Sequence, residues 1–152
     1  LLKMHKLRTF LGLRPHDKLL FFELILHLTV AWFFIKFAPQ HHIAAQWGQL
    51  NHASSTSLTD AQRRGVNKLA KQVTIMDKNL PEIFTCRMTA TAVAWMLKRR
   101  QIPSTIYVGF RRNGASQQIE GHAWLCSGSI VVTGRENRHA FQIFSHYGRD
   151  FN

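Results

Sequence analysis

Between Arg100 and Ser104 the hydrophobic period of the chain changes, and no other feature constrains the fold as much. Upstream, apolar residues recur at helical spacing: Val66, Leu69, Val73 and Met76, then Cys86, Ala90, Val93 and Leu97. Downstream they alternate, as Ile106, Val108 and Phe110 do in "STIYVGFRR". A period near 3.6 marks a helix and a period of two marks a strand. Helices first and strands after them argue for an α+β fold with an antiparallel sheet. Four strands are expected, in "STIYVGFRR", "IEGHAWLC", "SIVVTG" and "HAFQIFSHY", with Ser127-Gly128 as a tight hairpin turn between the second and third.

The helix boundaries carry their own signals. Thr59-Asp60-Ala61-Gln62 fits a capping box with Thr59 as N-cap and Gln62 at N3, and Asn79-Leu80-Pro81 ends that helix. Thr85 caps the next helix, "TCRMTATAVAWMLKRR", and so places Cys86 in its first turn. Lys98, Arg99 and Arg100 close it, where cations suit the helix dipole.

The first 58 residues are read as a helical segment packing on a core formed by residues 59–152. "LLKMHKLRTFLGL" sets Leu7, Phe10, Leu11 and Leu13 among basic residues, as a short amphipathic helix on the body or on a membrane would. Asp17 is the expected N-cap of a long apolar helix that Pro39 stops. Its uncharged core, Leu24 to Ile35, is short of the roughly 20 residues of a spanning helix, so a buried or docked helix is expected. Residues 40–58 begin as a helical turn and continue as a polar linker.

A length of 152 residues suits one domain. Twenty Lys and Arg against 8 Asp and Glu give a net charge of +12, which favours anionic partners. No nucleic-acid motif organises these bases, so no specific nucleic acid is expected. Cys86 and Cys126 do not form a disulfide framework, and a cytoplasmic setting, with possible membrane association through residues 1–38, is expected. The chain starts at Leu1, which suggests that a few native residues precede it.

A thiol in a helix's first turn meets unpaired N–H groups and the positive dipole end, which stabilise the thiolate. An imidazole on a neighbouring strand can take and return the proton. Cys86 followed by His122 has this layout. Cys126 is expected to be structural. No metal or cofactor is expected: His122 and Cys126 would lie about 13 Å apart along a strand, and His41-His42 reads as a solvated pair.

"CRMTATAVAWMLKRRQIPSTIYVGFRR" followed by "EGHAWL" resembles the transglutaminase-like cysteine protease of lasso-peptide biosynthesis, the protease part of its B protein. The shared features are a Cys opening an Ala/Leu-rich helix, an Arg-rich helix end, an extended strand ending in Arg, and His-Ala-Trp on the next strand. The basic start, "FLGLRP" and the Leu/Phe-rich helix extend the likeness over nearly the whole chain. The resemblance implies a papain-like fold in the broad sense, and removal of the leader from a ribosomally made precursor peptide. It implies Cys86 as nucleophile and His122 as base. Residues 1–80 match the protease part, so a separate small leader-recognition protein is expected, with an asparagine-synthetase-like cyclase as the further partner.

The family's usual third residue is an Asp on the strand after the His, and "SIVVTG" has no carboxylate. With Ser127-Gly128 as the turn, His122 faces Thr133, whose hydroxyl or backbone carbonyl would then hold the ring. With Gly128-Ser129 as the turn, it faces Arg135, a poor neighbour for a base. Glu136 lies just past the strand and can swing in. Glu120 is about 7 Å along the strand from His122, and Asp150 is a distant candidate. Two other readings stand beside the peptidase: a non-catalytic or acyltransferase-type scaffold, and a basic module for membranes or nucleic acid.

Overall fold

The computed structural model describes residues 14–80 and 83–151. The amphipathic helix expected before residue 14 and the stop at Pro81 lie outside the described residues. Helix α1 (Pro15–Phe37) starts two residues before the expected cap. Pro15 occupies its first turn, where a missing N–H costs nothing and the fixed φ suits the helix. Asp17 is therefore a first-turn acid beside the dipole's positive end, not the N-cap. The helix ends at Phe37, and Pro39 becomes the cap position of α2 (Gln40–Trp47).

Residues beyond α2 do not remain an unpaired linker. Gln49–Leu50 form strand β1, which pairs with Gly148 and Tyr147. Both residues are exposed, so no apolar alternation announces them; only backbone pairing to a sheet edge is required. The following loop is tied down polar group by polar group. The Ser54 N–H donates to Thr105 Oγ1 at 2.9 Å, and the Ser55 N–H to the Asp150 carboxylate at 2.8 Å.

Helix α3 (Asp60–Asn79) carries both bonds of the expected capping box. The Gln62 N–H donates to Thr59 Oγ1 at 3.2 Å, and the Thr59 N–H donates to Gln62 Oε1 at 3.0 Å. Its Val66, Leu69, Val73 and Met76 are all buried. Helix α4 (Cys86–Arg99) is capped by Thr85, which accepts from the Met88 N–H at 3.3 Å.

The sheet adds β2 (Ser104–Arg112), β3 (Ile119–Ser127), β4 (Ile130–Thr133) and β5 (Gln142–Arg149). A 3₁₀ turn, Arg138–Ala140, takes up the start of the expected last strand. The order is β1-β5-β2-β3-β4, antiparallel throughout, so the sheet has five strands where four were expected. Ser127 pairs with Ile130, so the hairpin turn is Gly128-Ser129, with Gly128 at φ +57°. A bulge between Leu125 and Cys126 then shifts the register by one residue.

Helix α4 packs against α1 on one side and β3 on the other. Its Ala90, Val93 and Leu97 join Leu24, Leu28 and Ala31 of α1 and Ala123 and Leu125 of β3 in one buried cluster. At the rim of the α1–α4 contact, Arg100 makes two bonds to the Glu23 carboxylate, at 2.9 and 2.5 Å, and Arg99 a third contact at 3.3 Å. Glu23 is held below the ordinary carboxylate range by the Arg100 hydrogen bond, against the opposing effect of burial.

Leu28 is fully buried in this cluster. Leu28→Ala is expected to lower unfolding stability by about 2–5 kcal/mol, read as a reduced urea midpoint with an unchanged slope.

Candidate active site

The first residue of α4 and the fourth of β3 meet. The Cys86 thiol and the His122 imidazole share a hydrogen bond. Thr85 creates the geometry on the helix side, since capping at residue 85 puts the next side chain at the positive end of the dipole. On the strand side, His122 lies opposite Gly109 of β2. A Cβ at Gly109 would sit 2.8 Å from the Gln142 carbonyl oxygen and 3.1 Å from Phe141 Cβ. Glycine there lets the chain around Phe141 close over the sheet beside His122.

Burial works to raise the Cys86 pKa. The hydrogen bond from His122 and the backbone N–H groups of Ala123 and Arg87 outweigh it, so the thiol titrates below its ordinary value. The Cys86 hydrogen bond pushes the His122 pKa up; burial opposes this, and the Gly134 carbonyl reinforces it. The two shifts point the same way, toward a thiolate–imidazolium pair. Cys126, by contrast, is pushed up by burial.

The imidazole is oriented by main chain. His122 Nε2 lies 2.9 Å from the Gly134 carbonyl oxygen. A carbonyl only accepts, so Nε2 carries the proton and Nδ1 is left for the thiol. The expected facing of His122 and Thr133 is not what forms. The turn at Gly128-Ser129 and the bulge together place Thr133 opposite Leu125, and its hydroxyl accepts from the Leu125 N–H at 3.1 Å. The chain then turns at Gly134, with φ +64°, and the next carbonyl reaches the ring. A Cβ on Gly134 would lie 2.7 Å from the Ala123 oxygen and 3.0 Å from His122 Nε2, so no side chain of any kind fits between.

Among the described residues the candidate carboxylates engage groups other than His122. Glu120 is engaged by Arg111 Nε and Asn113 Nδ2, each at 2.7 Å. Asp150 follows Arg149, which pairs with Ser104 at the opposite end of β2 from Gly109; it bonds His52 at 2.7 Å. Glu136 lines the same cleft as Cys86 and His122, but its charge acts on Asp77. Asp77 was not singled out from the sequence. It comes from the last turn of α3, and burial, then Glu136, raises its pKa.

Two rings complete the seat of His122. Trp124 lies 5.8 Å from the imidazole and near-parallel to it, and Phe141 lies 4.9 Å away. The Arg111 guanidinium covers Phe141 at 4.6 Å. An i, i+2 spacing on a strand flags Trp124 as a neighbour of His122; nothing local flags Phe141, which arrives from beyond the 3₁₀ turn. The pair opens on a cleft of about 420 Å³, with Thr74 and Asp77 on one wall and Arg135 and Glu136 on another. It is open to solvent.

Iodoacetamide is expected to label Cys86 faster than Cys126. The midpoint of its pH–rate profile should lie below the ordinary thiol value of about 8.5, the rate falling as pH drops through it. His122→Ala should move that midpoint up, because the hydrogen bond goes while burial stays. Gly134→Ala should move it in the same direction and lower stability by more than about 1 kcal/mol, since a Cβ is incompatible with the left-handed φ and the close contacts.

No curated protein and no solved structure gives a significant match to the chain. The profile of the Transglutaminase-like superfamily, however, matches residues 25–146, a stretch from α1 to β5 that contains both Cys86 and His122; the chain belongs to that superfamily.

Proposed function

We propose that this protein is a cysteine peptidase that removes the leader from a ribosomally made, lasso-type precursor peptide. The observation that carries the reading is the Cys86–His122 pair at the mouth of an open cleft, with the thiol lowered and the imidazole raised. The superfamily includes cysteine peptidases. The narrower assignment rests on the resemblance of the Cys86 helix and the His-Ala-Trp strand to the lasso-peptide B protein.

In this reaction the Cys86 thiolate attacks the carbonyl carbon of the scissile bond. The positive dipole end at the start of α4 stabilises the oxyanion that develops. His122 gives its proton to the departing amine, which leaves a thioester on Cys86. His122 then takes a proton from water as the water attacks the thioester, and the thiolate is regenerated. A separate small recognition protein delivers the leader, and an asparagine-synthetase-like cyclase uses the freed amine.

One observation favours a second reading. The atom facing His122 Nε2 is a carbonyl oxygen, not a carboxylate. A carbonyl orients the ring but stabilises an imidazolium less than a full negative charge does. A scaffold that binds the leader without cleaving it tolerates that loss, since it needs no proton transfer.

The test is incubation of the full chain with the precursor and its recognition protein, with cleavage followed by mass spectrometry. Cys86→Ala should abolish cleavage, and His122→Ala should slow it by about 10²–10⁴-fold. Undiminished cleavage in Cys86→Ala would overturn the peptidase reading. Leader binding without cleavage by the unaltered chain would favour the scaffold.

A further inference from the structure

We propose that the outer face of α1 seats the protein flat on an anionic lipid surface. Six large apolar side chains stand exposed along it: Leu19, Phe22, Leu26, Val30, Phe33 and Phe37, each between 49% and 71% accessible. Their spacings of three and four residues put them on one side of the helix. The stripe runs about 27 Å, the length of 18 residues at the helical rise. An apolar surface this long and continuous marks an interaction site.

The opposite side of the helix decides between lying on a membrane and crossing it. By length and composition α1 could cross: it has 23 residues, and an 18-residue window within it has a mean hydropathy of 1.8. Yet Leu24, Leu28 and Ala31 are completely buried against the body, and Glu23 is clamped by Arg99 and Arg100. Among the described residues one side of α1 packs on the body and the other stays exposed, which is the condition of an interfacial helix.

Charge selects the occupant. The acids of α1 are Asp17 and Glu23; Glu23 is paired with two arginines, and Asp17 lies 3.4 Å from His16. Lys36 lays its stem along the stripe, its ammonium 4.7 Å from the Trp32 ring and 5.7 Å from that of Phe37. Arg14 flanks the other end, and the chain carries +12 overall. Two copies apposed through this face would bring like charges together. Anionic lipid instead takes the apolar side chains below its headgroups and the cations at their level.

The test is flotation of the full chain with vesicles of phosphatidylcholine, alone or mixed with phosphatidylglycerol. Binding to the mixed vesicles is expected, with weaker binding to the neutral ones. Lys36→Gln should lower partition to the mixed vesicles about fivefold. The double variant Leu26→Glu/Phe33→Glu should abolish binding, while its helical circular dichroism and Cys86 alkylation rate stay unchanged. Failure of the unaltered chain to bind mixed vesicles overturns the proposal. So does equal binding by the double variant, which would mean diffuse charge attraction. A dimer in sedimentation that the double variant dissociates, without vesicle binding, assigns the face to a second copy instead. None of these readouts depends on peptide cleavage.

Discussion

The seating of α4 on β3 is the contact on which the rest of the structure depends. Small and medium side chains on the helix, Ala90, Val93 and Leu97, meet Ala123 and Leu125 on the strand. Small residues allow close approach, and close approach puts the capped end of the helix over His122. The same helix is covered on its other flank by α1, so the apolar N-terminal helix belongs to the body that holds the site. Displacing α1 would expose α4 and loosen the helix from which Cys86 projects.

Around that contact, His122 is positioned by groups that carry no full negative charge. The Gly134 carbonyl fixes the tautomer, and Trp124 and Phe141 restrict the ring plane. Glu120, the acid nearest in sequence, is spent on Arg111 and Asn113, and Arg111 in turn covers Phe141. The carboxylate supports an aromatic neighbour of the imidazole instead of the imidazole itself. The hydrogen bond with Cys86 is then the largest of the effects that raise the His122 pKa.

Much of this was legible in the residues. Thr59 with Gln62, and Thr85 before Cys86, are local signals whose physics is complete within one helical turn, and both caps form as read. The alternation of Ile106, Val108 and Phe110 likewise needs only the strand itself. Three features were not legible, each for a physical reason. The edge strand Gln49–Leu50 is exposed on both residues and has no pattern to read. The hairpin turns at Gly128-Ser129, which moves the register by two residues, and the bulge at Leu125 and Cys126 moves it by one more; together they take Thr133 away from His122 and leave the Gly134 carbonyl beside it. Phe141 and Asp77 approach the site from other elements.

The sequence by itself determined the α+β class of the protein and marked Cys86 and His122 as candidates for one site. Cap chemistry and hydrophobic period act over a few residues, so a Cys at a helix start and a His in a following strand could be recognised without coordinates. Only the tertiary structure decided what holds the imidazole, which acids share the cleft and which side of α1 remains open. Those outcomes depend on strand register and on the packing of distant segments, where the placement of a turn and one bulge residue exchange a hydroxyl for a carbonyl.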